Sequence, residues 1–217
     1  MKYSWSFSSL CDYEKCPHTQ SFPYEKGERV NTEAQQAGID AHKKCEDYML
    51  HPDVYPVPYE GFPFEHFSAL SPFAETKFGL TDTWELCDYK EAWFKMIPDY
   101  VAMTKTNEDL TAVIIDYKNG GRQYNEVKHA QQMQLYSCAL KAVIPRIAQV
   151  ETQLWYLPTG LQVVANYPAK RLDSIRLRFH NRALKMMNDK KLAPNPTKSN
   201  CKFCNHKDRC AYVFQEL

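Results

Sequence analysis

Val113-Ile114-Ile115-Asp116-Tyr117-Lys118-Asn119-Gly120 runs three β-branched residues straight into a carboxylate, an aromatic ring and an ammonium. Such a run reads as a buried strand that ends in charge. Asp116 and Lys118 are two residues apart, so on a strand both side chains leave from the same face. Upstream, Ile97-Pro98-Asp99-Tyr100-Val101 puts another acid at the start of a second β-prone run. An acid that opens one strand and an acid that closes its partner meet across a hairpin. Carboxylates placed in that way suit a hard divalent cation with positions open for water and phosphate. Taken alone, Asp116-x-Lys118 fits an exposed turn with an ordinary ion pair equally well.

Around this stretch the chain reads as a sheet with helices. Short β-prone runs at 73–80, 92–98, 100–104 and 112–117, with polar turns between them, predict an antiparallel meander. Residues 126–144 have a helical period that Pro145 ends, and 150–157 with 161–167 form a hairpin about Pro158-Thr159-Gly160. Residues 169–187 make the clearest helix: Leu172, Ile175, Phe179, Ala183 and Met186 form one apolar stripe, and Arg171, Arg176, Arg178, Arg182 and Lys185 spread over the rest. On the N-terminal side, Ser6 caps a short helix with Leu10 and Tyr13 on one face, stopped at Cys16-Pro17. Residues 32–50 read as a second helix with a small-residue apolar side and His42 beside it, and the Pro- and aromatic-rich 51–72 as irregular packing or a flap. Its Tyr55, Tyr59, Phe62, Phe64 and Phe67 fit core packing, or stacking on bases. The order of elements predicts an α/β or α+β sheet core.

At 217 residues, with 44% hydrophobic and 24% charged, the chain has room for one globular core and lacks the composition of a disordered or fibrous protein. No stretch reaches the roughly 18 apolar residues of a membrane span, and the first residues lack the apolar run of a signal peptide. A cytoplasmic protein without membrane contact is expected. The net charge of +1 hides an asymmetry: residues 168–217 carry 12 Lys+Arg against 4 Asp+Glu, and the other 167 residues carry 15 against 22. A basic end beside an acidic body suggests a surface for a polyanion, although a solvated helix face would look the same. The phosphate-cradling G-x4-G-K-[ST] loop is absent, so the chain carries no helicase motor.

Eight cysteines are unusual for such a chain. Cys11, Cys45, Cys87 and Cys138 lie in apolar or helical stretches and read as small buried hydrophobes. Cys201-Lys202-Phe203-Cys204 with Cys210 gives C-x2-C-x5-C, a spacing that lets thiolates of a tight turn face one metal centre. Three thiolates need a fourth ligand, and Cys16 at a helix exit is distinct from the other four. A structural zinc site, with His206 as an alternative ligand, and an iron-sulfur cluster both fit.

Pro98-Asp99 followed by Asp116-Tyr117-Lys118 resembles the PD-(D/E)XK nuclease superfamily, and Ile-Asp-Tyr-Lys-Asn-Gly is similar to the central strand of its RecB-like branch. Further likenesses follow in family order: His42 resembles the helical histidine metal ligand, Glu75 the acidic residue before the first core strand, and Gln132 with Tyr136 the Q-x3-Y helix motif. Cys16 with Cys201, Cys204 and Cys210 resembles the [4Fe-4S] staple of AddB-type and CRISPR-associated RecB-like exonucleases. The resemblance implies a restriction-endonuclease-like core, a mixed central β-sheet flanked by helices, within a single nuclease domain over 1–217. That domain divides into N-terminal helices at 1–50, the core at 73–190, and an iron-sulfur module at 191–217 with Cys16. It further implies a DNA exonuclease acting on single-stranded or end-bearing DNA in recombination, repair or processing. In that reading His42, Asp99, Asp116 and the Tyr117 carbonyl hold Mg²⁺ or Mn²⁺, Glu75 joins them or holds a second ion, and Lys118 positions the attacking water. Gln132 and Tyr136 support the lysine or the DNA backbone, and Arg122, Arg176, Arg178, Arg182 and Lys185 bind DNA. Loss of cleavage with folding unchanged is expected for Asp116→Ala and Lys118→Ala. The alternative is a non-catalytic or partner-dependent DNA-binding module of a recombination or CRISPR-adaptation complex.

Overall fold

The computed structural model describes residues 4–22, 32–106, 109–120 and 125–215. Two helices open the chain, α1 (Phe7–Lys15) and α2 (Glu33–Leu50), each with a capping box, Ser6 with Ser9 and Thr32 with Gln35. These reciprocal side-chain bonds satisfy backbone N–H groups that a helix start leaves orphaned. At the exit of α1 the chain turns extended at Cys16, before Pro17. A short helix not foreseen in the sequence, α3 (Phe64–Ser68), interrupts the aromatic segment.

Among the described residues eight strands follow: β1 (Phe73–Ala74), β2 (Phe78–Leu80), β3 (Leu86–Cys87), β4 (Phe94–Met96), β5 (Tyr100–Thr106), β6 (Asp109–Lys118), β7 (Ile147–Tyr156) and β8 (Leu161–Pro168). The main sheet has the order β1-β5-β6-β7-β8, antiparallel except for β6 and β7, which run parallel. A parallel pair needs a crossover, and α4 (Glu126–Val143) supplies it. The expected meander is therefore corrected. The run 73–80 divides between two sheets, because β2 leaves to pair with β3 and β4 in a separate three-stranded sheet. Gly79 permits that pairing: a Cβ there would lie 2.8 Å from both Ala92 Cβ and Tyr89 Cα. The turn between the two sheets passes through Glu75, whose φ of 46° is left-handed and costs a non-glycine residue about 1–3 kcal/mol.

The alternation along β6 divides the interior into two cores. Ala112 and Ile114 join the cluster under α1, α4 and α5 (Ala169–Asn188), and Val113, Ile115 and Tyr117 join the cluster under α2 and α3. Asp116 follows Ile114 by two, so its carboxylate enters beneath α4. Packed between the sheet and α5, the second half of α4 is enclosed nearly all round, with Met133, Leu135, Tyr136, Ser137, Cys138, Ala139 and Leu140 all buried. Phe62, Phe64 and Phe67 pack about Trp155 in the second core, Phe62 stacking on it at 5.0 Å between ring centroids. Core packing, and not base stacking, accounts for those three rings, whereas Tyr55 stays 42% exposed. No described helix is long and apolar enough to cross a membrane.

Candidate active site and cysteine cradle

The reactive groups gather at the end of the sheet where β6 finishes and β5 begins. Asp99 is 7% exposed and lies just before β5; its Oδ2 accepts the Tyr117 N–H at 2.6 Å. This bond ties the start of one strand to the end of its partner. On α2, His42 Nδ1 stands 3.3 Å from Asp99 Oδ1 and 3.9 Å from Glu75 Oε1. The three ligand atoms lie within 4.8 Å of one another, the sole such trio of His, Cys, Asp or Glu among the described residues. Burial works against a charge on His42, but the hydrogen bonds it donates to Asp99 and Glu75 outweigh it and raise the pKa to about 10. Burial and then the neighbouring Asp116 charge push the Asp99 carboxyl up. A proton and a divalent cation would compete for this trio, since a ligating imidazole must be neutral. The donor set fits an ion: neighbouring ligands about 2.1 Å from a small cation at right angles are about 3 Å apart, close to the observed 3.3 Å.

Asp116 is 2% exposed and belongs to a second, adjoining network. Its Oδ1 accepts from Gln132 Nε2 at 3.0 Å, and its Oδ2 is 2.5 Å from Lys118 Nζ. Lys118 donates to Gln132 Oε1 at 3.1 Å, and Gln132 Nε2 also reaches the Tyr136 hydroxyl at 3.3 Å. The Lys118 ammonium balances the charge of Asp116 Oδ2 without the alignment of a hydrogen bond, and that buried oxygen has no hydrogen-bond donor. Burial opposes the charge on Lys118, the Asp116 carboxylate outweighs it, and the pKa rises. Burial pushes the Tyr136 phenol up. The strand period places Asp116 and Lys118 side by side, and the helix period places Gln132 and Tyr136 one turn apart to meet them. Tyr117 contributes its N–H to Asp99 and its ring to the α2 side of the sheet, against His42 at 5.9 Å.

One pair near Lys118 was not anticipated. His129, one turn before Gln132, places Nδ1 2.9 Å from the Tyr156 hydroxyl, and Tyr156 is the register partner of Lys118 on β7. Burial and then the Lys118 charge lower the His129 pKa to about 4. The i, i+3 spacing of His129 and Gln132 was the available signal.

Three arginines of the basic face of α5 have partners within the protein. Arg182 forks onto Glu14 with two bonds of 2.7 Å, Arg178 donates to Gln134 at 2.6 Å, and Arg176 pairs with Asp173 at 3.2 Å. Arg178, Arg182 and Lys185 also line a shallow groove on α5. Arg122 lies outside the described residues.

Across the molecule, Cys16, Cys201, Cys204 and Cys210 line one cavity of about 90 Å³ between the exit of α1 and the C-terminal turns. All four are free thiols and half-buried. Three sulfurs accept backbone N–H groups: Cys16 from Asn195 at 3.3 Å, Cys204 from His206 at 3.4 Å and Cys201 from Phe214 at 3.4 Å. No three of them come within 4.8 Å of one another, whereas four thiolates about a zinc ion, each about 2.3 Å from it, would be about 3.8 Å apart. Cys45 and Cys138 are buried, as expected of small hydrophobes, and Cys11 and Cys87 are half-buried.

Comparison with curated proteins gave no match. Among solved structures, the "Crystal structure of SSO0001" is similar in fold, with a TM-score of 0.54 and 13% identity over 99% of this chain and 89% of that one. Residues 49–211 match the PD-(D/E)XK nuclease superfamily, and with Asp99, Asp116 and Lys118 assembled as described, the chain belongs to that superfamily.

Proposed function

We propose that the protein is a metal-dependent deoxyribonuclease that hydrolyses phosphodiesters in single-stranded or end-bearing DNA, as an exonuclease in recombination, repair or DNA processing. The observation that carries this reading is the His42–Glu75–Asp99 trio beside the buried Asp116–Lys118–Gln132 network. His42, Glu75, Asp99, Asp116 Oδ2 and the Tyr117 carbonyl would hold Mg²⁺ or Mn²⁺, and the imidazole favours the softer Mn²⁺. Such an ion supplies a Lewis acid for the phosphate and a bound water of lowered pKa. The residues of the chain supply position. Asp116 and Gln132 clamp the Lys118 ammonium from the strand and the helix, so its free donor faces the cleft and orients the attacking water. Gln132 accepts from the lysine and donates to both Asp116 and Tyr136, which leaves its amide one orientation. Cations of α5, with Arg122, serve as sequence-independent contacts to the phosphate backbone.

The four cysteines would hold a [4Fe-4S] cluster. The shared cavity of the four cysteines and the three N–H···S bonds support this, because such bonds are a usual second shell of iron-sulfur ligands. The cluster would bind the exit of α1 to the tail across about 185 residues, closing a very long loop.

The test is incubation of the protein with end-labelled linear and circular single-stranded DNA in Mn²⁺, beside EDTA and Lys118→Met controls. Cleavage of linear DNA alone, lost in both controls, is expected. Cleavage of circles would replace the exonuclease by an endonuclease, and no cleavage would leave a DNA-binding module that acts only with recombination or CRISPR-adaptation partners.

A further inference from the structure

Gly38 lies in the middle of α2, an 18-residue helix, although glycine is the poorest helix former after proline. A glycine earns such a position where φ must be positive or where another group packs too close for a Cβ. Neither applies here. Gly38 is not among the positive-φ glycines, and, its own helix backbone and chain neighbours aside, no heavy atom of the described residues lies within 4 Å of the place a Cβ would take. What the missing side chain leaves is open space, and that space is where two cavities meet.

One cavity, of about 740 Å³, is lined by Gln35, Gly38, Ile39, His42, Glu75 and Lys77 among others. The second, of about 370 Å³, lies on the other side and is lined by Ala37, Gly38, His42, Tyr117, Lys118 and Gly120 among others. Gln35, Gly38 and His42 belong to both. His42 follows Gly38 by four residues, so the two share a helix face, and the surface of Gly38 leads to His42 and Glu75 through the first cavity and to His42 and Lys118 through the second. Volumes of this order match ordinary ligand pockets of about 300–1,000 Å³. The first cavity offers a cation, Lys77, and an apolar side chain, Ile39, that is 51% exposed. The second offers the Lys118 side chain and the turn at Gly120.

We propose that Gly38 is the floor of a path for a single nucleic-acid strand, which runs along α2 and passes the metal trio with nucleotides bound on both sides of the scissile phosphate. Lys77 meets a phosphate, Ile39 lies against a base, and the absent side chain at position 38 lets the sugar-phosphate backbone cross the helix. This rests on the nuclease reading and adds to it the course of the strand along α2 and the residue that sets the width of its path.

The experiment is a size series at one position, Gly38→Ala, Gly38→Leu and Gly38→Trp, in the full chain loaded with Mn²⁺. Two substrates are compared, a labelled single-stranded oligonucleotide and bis(p-nitrophenyl) phosphate, a diester too small to use the path. Oligonucleotide cleavage should fall with side-chain size, by about 100-fold at tryptophan, the scale of effect that a small misplacement of substrate produces. The loss on the small diester should be at least about tenfold less, since the reacting groups are untouched. Helix content and melting temperature are measured for each variant, and every replacement is a better helix former than glycine. Equal losses on both substrates, or undiminished oligonucleotide cleavage by a folded Gly38→Trp, would overturn the path. If the wild type cleaves neither substrate, the nuclease reading fails by itself, and oligonucleotide binding in Ca²⁺ then decides the path. Weaker binding by Gly38→Trp supports it, and binding equal to the wild type, or absent from both, overturns it.

Discussion

Asp116 and Lys118 ride on a ten-residue strand in the middle of the sheet, the carboxylate 2% exposed, whereas Cys201 is held on a five-residue helix, α6 (Lys198–Lys202), with Cys204 and Cys210 in the turns after it. The first group is assembled by the periods of regular elements: two on a strand, four on a helix, each locked by a packed core. The second depends on backbone N–H···S bonds and on Asn195 and Asn200, whose side-chain amides both donate to the Lys15 carbonyl at the end of α1. Little apolar burial backs the turns, and Phe203 and Tyr212 remain 80% and 52% exposed. A centre built by the core is organised before any ligand arrives. One built from turns gains most of its order from the ligand itself.

The sharpest way to break this contrast is at the buried pair. Asp116→Asn and Lys118→Met should each reduce cleavage on the order of 10²–10³-fold or more, the usual cost of removing a preorganised electrostatic group. The structure also revises the expectation that folding is unaffected. Each single change leaves the other charge buried and unpaired, at about 3–5 kcal/mol, and the double variant should recover most of that stability in urea unfolding while remaining inactive. If the singles unfold like the wild type, the pair is not the enclosed unit described here.

For the cradle the expected effect is local. If the cradle holds the proposed cluster, Cys204→Ser or iron chelation should raise amide exchange across 191–215 by at least about tenfold while the β6 and β7 amides keep their protection, because subglobal opening follows local contact density. Equal loosening of the sheet would show that the two regions are one cooperative unit. A smaller effect belongs to the seam between α1 and α5. Arg182→Ala removes a half-exposed fork onto Glu14 and should cost about 1 kcal/mol or less, with the difference shrinking in high salt.

The smallest signal is a slope. His129 has its pKa lowered to about 4, first by burial and then by Lys118. A histidine depressed in the folded state contributes stability that is intact above its unfolded pKa and is lost as the pH falls below it. The wild type should therefore lose melting temperature between about pH 6.5 and pH 4 more steeply than His129→Gln. Parallel curves would remove His129 from the surroundings of Lys118.

Much of the site was legible because its residues obey short periods. Asp116-x-Lys118 announced a shared strand face, Gln132-x3-Tyr136 a shared helix face, and Ser6 and Cys16-Pro17 the two ends of α1. Glu75 was legible as an acid near the first strand, but not as a residue in left-handed backbone at the point where the chain leaves one sheet for another. That conformation is imposed by pairing of β1 with β5 and of β2 with β4, partners more than a dozen residues away in sequence. The α5 arginines looked like a free basic face, since a helical wheel shows which residues point outward and not which acids or amides stand opposite.

Local composition by itself determined the longer helices, the β-prone runs and the carboxylate-lysine strand end, because capping, side-chain period and turn chemistry act over a few residues, whereas Cys16 was grouped with the three late cysteines by family resemblance. Only the tertiary structure decided that β6 and β7 run parallel, that His42, Glu75 and Asp99 converge while Asp116 turns to Lys118 and Gln132, and that Gly38 faces open space between two cavities. Those outcomes depend on contacts between segments tens of residues apart, where the free energy of burying both faces of one sheet selects among arrangements that the local sequence leaves equal.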